Sequence, residues 1–226
     1  MQVSDQNNLN TIAAGINDVA GILFETLSFS FPVCLSSDEF HYFPQVAIEN
    51  ENWSRWDNFS PESISNISLK LKAYKLELDH ISSCELSLDQ QVDTCLLQRI
   101  ISTILEQLTI IKPHVNHPAF YLTIVGVGLA EALNSGSKAF NNRLKGLPVF
   151  LFHAQRNLEN INEIFKSQGC DMINRLCAWI QSLPAKQKVR AAAINSLKTF
   201  HSHLVKIPAQ KEFLLAKDLY EQVVFH

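Results

Sequence analysis

The chain has 226 residues, of which 46 % are hydrophobic and 18 % charged, and its formal charge is −3. That apolar share supports a sizeable core and excludes a disordered chain or a long exposed coiled coil. Nineteen Lys and Arg against 22 Asp and Glu, with no basic stripe, argue against nucleic acid as a partner, because a phosphate backbone is held by clustered cations.

The first residues, "MQVSDQNNLN", show no basic stretch followed by an apolar one, so the expectation is a cytoplasmic chain without a secretion signal. A helix with weak periodicity is predicted over Ile12–Phe29. A loop-rich stretch, 31–60, follows, and "HYFPQVAIENENWSRWDNFSPESI" is its least regular part. Within it Trp53 and Trp56 stand three apart and share a face in a helical or 3₁₀ turn. Two readings stand for Trp53, Arg55, Trp56 and Asp57. In one they form a packed loop anchored by its aromatics, with Arg55 and Asp57 satisfying backbone groups. In the other they form the wall of a groove that meets a ligand or partner.

"FSPES" is a helix start: Ser60 can cap, Pro61 suits the first turn, and Glu62 favours the positive end of the helix dipole. Ile64, Ile67, Leu71, Tyr74 and Leu78 then recur at helical spacing. Leu97, Ile101, Ile104 and Leu108 repeat the pattern, with Gln98, Arg99, Ser102 and Glu106 on the opposite face. An antiparallel helical pair over 61–112 is the result. "KPHVNHP" ends it, since Pro113 and Pro118 both resist continuation.

Ala119–Leu133 is apolar almost all round, too short to cross a bilayer, and carries Glu131. It reads as a buried central helix, with Gly126 and Gly128 placed for a close helix crossing and no membrane span. Pro148 is expected to open a short new helix, Pro184 an alanine-rich one, and Pro208 a last one bearing Phe213, Leu214, Leu219, Tyr220 and Val223. The expected fold is therefore all-α, an irregular bundle of about seven or eight helices. It forms a single domain over 1–226, with a central helix at 119–133 and C-terminal helices over 148–226.

Chemistry-bearing patterns are sparse. Five cysteines form no C-x-x-C pair and read as free thiols. No compact zinc pattern and no nucleophile elbow occurs, so no catalytic, metal or cofactor residue is assigned. His114, His117 and His153 are the weak candidates. The first two are three apart but lie in an irregular stretch between prolines, and His153 lies in an apolar segment. Lys186, Lys188 and Arg190 read as a solvated face.

The order "WDNFSPESISNISLKLKAYKLEL", "HPAFYLTIVGVGLAEAL", "RLKGLPVFLFHAQRNLENINEIF" and "FLLAKDLYEQVV" resembles the bacterial helical family known as domain of unknown function 885, whose members look like zinc-metallopeptidase relatives. The carrying patterns are W-x-x-x-S-P-E, L-P-x-x-L-x-x-A-x-x-N-L and L-Y-E. Trp53, Asp57, Pro61, Leu147, Pro148, Asn157 and Leu158 match positions of structural character. The resemblance implies a longer relative whose zinc motif lies in its C-terminal half, and no residue of this sequence matches that motif. Ala216 stands where such relatives commonly carry glycine.

The functional expectation is a non-catalytic helical module similar to the N-terminal part of those proteins, serving as a binding or interaction domain. A hydrolase with a site assembled from residues distant in sequence is the alternative. The expected partner is a second copy of the chain or a second protein. Leu176–Leu183 and Phe213–Val223 would form the two-fold interface, unless they pack on each other in a monomer.

Overall fold

The computed structural model describes residues 2–48 and 52–208, and within them the chain is all-α with no strand. Seven helices have 18 residues or more: α1 (Gln2–Ser30), α3 (Pro61–Ser82), α4 (Leu88–Glu106), α6 (Pro118–Ser135), α7 (Ser137–Asn157), α8 (Glu163–Ser182) and α9 (Gln187–Lys206). Two are short, α2 (Pro32–Ser36) and α5 (Pro113–Asn116). A 3₁₀ turn covers Asn52–Ser54. The last expected helix, after Pro208, lies outside the described residues.

The helices gather into two compact units, each discontinuous in the chain. One comprises Met1–Lys112 and Val127–Gly146, the other Pro113–Gly126 and Leu147–His226. Both α6 and α7 therefore contribute residues to each unit.

In the first unit α3 starts as its sequence dictates. Ser60 Oγ accepts the Ser63 N–H at 3.2 Å, and Pro61 occupies the first turn. A reciprocal cap opens α4: Ser87 Oγ accepts from Gln90 N, and the Gln90 side chain accepts from Ser87 N at 2.9 Å. The two helices pack side by side and α1 lies against both. Ile67, Leu71 and Leu78 of α3 face inward with Leu97, Ile101, Ile104 and Leu108, while Arg99, Ser102 and Glu106 are exposed. A π turn, Gln107–Ile111, ends the run, and Lys112 then takes φ +51 just before Pro113. By length and composition alone, Leu88–Asn116 would suffice to cross a membrane.

The second unit holds the α8–α9 pair, in which Ile173 and Ile180 are buried with Ala193, Leu197, Phe200 and Leu204. Asn162 caps α8 by accepting the Ile164 N–H at 2.8 Å. The start of α9 is less solvated than its basic residues suggest. Lys186 and Lys188 are exposed, but the Arg190 guanidinium donates to the Leu183 and Ala185 carbonyls at 2.8 and 2.9 Å and ties down the turn between the helices.

Pro148 does not open a helix; it lies inside α7. An interior proline removes one helical hydrogen bond, at a cost of about 3 kcal/mol. Here Phe140, Leu144, Leu147, Leu151 and Ala154 are all buried. Burying that stripe along one continuous helix outweighs the break.

α6 is buried as expected, with Leu122, Ile124, Val125, Leu129 and Ala132 shielded from solvent. Of its two glycines, Gly128 is the one at a close approach, to the loop residue Trp56 and to Val33 of α2. A Cβ at Gly128 would come within 2.8 Å of the Trp56 ring and 3.1 Å of Val33, whereas one at Gly126 would meet only Leu176 at an ordinary 3.7 Å. The two positions therefore respond oppositely to one methyl group. Gly128→Ala is expected to destabilise the protein by about 1–3 kcal/mol through overpacking. Gly126→Ala should leave stability unchanged or raise it by up to about 1 kcal/mol through helix propensity. Urea unfolding of both variants checks the contrast.

Candidate functional site

Asp57 is only 4 % exposed, and its carboxylate is spent on backbone. α2 begins after Phe31, whose side chain cannot cap, so its first N–H groups need an acceptor from elsewhere. Asp57 supplies one from 24 residues away, accepting the Val33 N–H at 2.7 Å and the Cys34 N–H at 3.2 Å. Burial pushes its carboxyl up to about 6, against the opposing pull of the Cys34 thiol, those backbone bonds and the Arg143 charge. The same burial raises the Cys34 thiol, and Asp57 beside it adds to the effect.

Arg143 is the fully buried cation of this cluster. Its Nη1 donates to the Gly128 carbonyl at 2.6 Å and its Nε to the Arg55 carbonyl at 3.0 Å; its Nη2 lies 3.4 Å from the Asn52 carbonyl. Glu131 stands 3.9 Å from Nη1 and accepts the Ser36 hydroxyl at 2.5 Å. Burial lowers the guanidinium from its ordinary range, with Asp57 and Glu131 pulling it back. Glu131 is raised by burial, against its Ser36 and Arg143 contacts.

Trp56 closes the cluster. Its Nε1–H donates to the Arg143 carbonyl at 2.8 Å, and its ring lies so near Gly146 that a Cβ there would be 3.2 Å away. The aromatic–charged stretch is thus bound to α6 and α7 through backbone as well as rings. The Arg55 guanidinium, by contrast, satisfies no backbone group in this cluster; it stacks on Phe29 at 3.6 Å from the ring centroid.

Trp53 is placed differently. It is half-buried, with the Arg143 guanidinium 5.6 Å from its ring centroid, and it lines an open cleft of about 560 Å³. Ser54, Ser135–Ala139 and Asn142 complete the lining. Gly136, at φ +128, makes the sharp corner between α6 and α7 that forms the far wall, a backbone conformation suited to glycine. Asn142 Nδ2 lies 3.4 Å from Ser54 Oγ. Among the described residues of this lining Lys138 is the charged one.

The weak histidine candidates do not assemble. His114 is buried and its carbonyl accepts the Tyr121 hydroxyl at 2.8 Å, while Asn157 donates to that hydroxyl at 2.9 Å. His117 stacks on Phe165 at 4.0 Å between centroids, and burial lowers its pKa. His153 is exposed, edge-on to Phe152. Among the described residues no group of three or more His, Cys, Asp or Glu is placed to hold a metal ion.

Sequence reasoning did not single out Arg143, Ser36 or Asn142. For Arg143 a signal existed: it occupies a buried-face position in the stripe Phe140, Leu144, Leu147, Leu151. A cation in a core position marks a buried network. Ser36 and Asn142 carry no such mark.

No protein-family model matches the sequence, and no curated protein matches it. Among solved structures the fold is similar to that of a candidate lipoprotein of unknown function from Shewanella oneidensis, with a TM-score of 0.52 and 12 % identity. The match covers 86 % of this chain and 36 % of that one, so this chain spans little more than a third of the other's length.

The raised Asp57 carboxyl gives a signed pH dependence. A carboxyl whose folded pKa lies above its unfolded value binds protons more tightly in the fold. Its contribution is fully present below about pH 4 and is lost as pH rises through about 6. Asp57→Asn cannot titrate. The stability of the natural protein relative to this variant should rise by up to about 3 kcal/mol as pH falls from 7 to 4. Urea unfolding of both proteins across that range measures the difference.

Proposed function

We propose that this chain is a non-catalytic helical module whose ligand-facing feature is the cleft beside Trp53. The observation that carries the reading is the division of labour within the segment 52–57. Arg143 and Asp57 are buried and consumed by backbone carbonyls and N–H groups. Trp53 instead lines open space of a size typical for small-ligand sites. A rigid buried network beneath an open aromatic wall suits binding without chemistry.

The recurrence of the fold within a much longer chain fits a module that works beside another body. The reading also rests on the sequence resemblance to the N-terminal part of the metallopeptidase-like family, domain of unknown function 885. A hydrolase is the second reading, favoured by one observation: a carboxyl pushed up to about 6 beside a thiol, Asp57 with Cys34. Both residues are shielded from solvent, at 4 % and 0 % exposure, so a substrate has no route to them in this conformation.

Elemental analysis of purified, exhaustively dialysed protein tests the reading. The expected result is zinc well below one equivalent. One full equivalent surviving dialysis would overturn the non-catalytic assignment.

A further inference from the structure

Resting on the reading of the Trp53 cleft as a binding site, we propose that it takes a small planar anion: a ring compound bearing one carboxylate, its ring against Trp53 and its charge beside Lys138. The charge inventory of the lining comes first. Lys138 is exposed and forms no ion pair among the described residues, and the described residues of the lining include no Asp or Glu. Glu131, the acid of the neighbouring cluster, is already held by Ser36 and Arg143. Among the described residues of the lining a cationic ligand would therefore meet no partner but Lys138, and a dianion would bring more charge than that one side chain can match.

Ring selectivity follows from Trp53. An indole wall favours a flat partner by offset stacking, worth about 0.5–1.5 kcal/mol beyond the area buried. The Arg143 guanidinium lies 5.6 Å from the centroid of the Trp53 ring and helps to hold the indole in place. Ser54, Ser137 and Asn142 add short polar groups around the same space and no further charge.

The test uses the full chain and the ¹⁵N indole signals of its three tryptophans. Benzoate, benzamide and acetate are titrated separately. Benzoate should shift the Trp53 signal saturably and bind roughly ten-fold more tightly than benzamide, a difference of about 1.4 kcal/mol. Acetate, lacking a ring, should leave the signal in place. The Trp56 N–H, bonded to the Arg143 carbonyl, should stay unmoved as an internal reference. Lys138 is exposed, so Lys138→Gln leaves the fold intact and should reduce benzoate to the benzamide affinity. Equal affinity for benzoate and benzamide, or no effect of Lys138→Gln, overturns the anion assignment while the cleft remains a binding site. Failure of all three probes to move Trp53 overturns both.

Discussion

The first unit depends on one buried cation. Arg143 lies in the core stripe of α7 with no solvent exposure, and a bare charge there would be prohibitively expensive. It is tolerated because its planar fork reaches the carbonyls of Gly128, Arg55 and Asn52, with Glu131 nearby. Two of these acceptors lie in the segment 52–55 and the third in α6. One side chain thereby fixes the 3₁₀ turn and the loop after it against α6 and α7.

The other features of the segment follow from that constraint. With the Arg55 carbonyl pinned, Trp56 is delivered into a slot that the missing side chain of Gly128 opens and that Gly146 borders closely. Its indole N–H returns a bond to the Arg143 carbonyl, so each residue positions the other. Asp57 then falls where it can cap α2. Trp53, on the turn that Arg143 grips through Asn52, is left at the surface beside the α6–α7 corner. The buried residues hold the frame, and the cleft is what the frame presents.

Much of this fold was legible in the sequence. The stripes of α3 and α4, the Ser60–Pro61 start and the buried character of α6 follow from periodicity and capping chemistry, which act locally. The failures share a cause. Pro148 signals a helix start by local rules, but a long apolar stripe carries α7 through it. Gly128 signals a close approach correctly, yet what approaches is Trp56, 72 residues away in sequence. Local patterns report that a constraint exists; they do not say what imposes it. The same limit applied to the site. Trp53, Trp56 and Asp57 stood out by type, while Asn142 and Ser54 acquired meaning only once the corner at Gly136 placed them around one space.

The division between a consumed charged network and an open aromatic wall makes the functional reading, and its foundation is the claim that Arg143 holds the segment in place. Urea unfolding of Arg143→Met tests that claim most directly. Methionine keeps the length and apolar stem but removes the guanidinium's hydrogen bonds to three carbonyls and leaves Glu131 without its cation. The account predicts a loss of about 3–5 kcal/mol, the cost of breaking a buried charged network from one side. A variant within about 1 kcal/mol of the natural protein would show that the segment is held by its aromatics alone, and the account would fail.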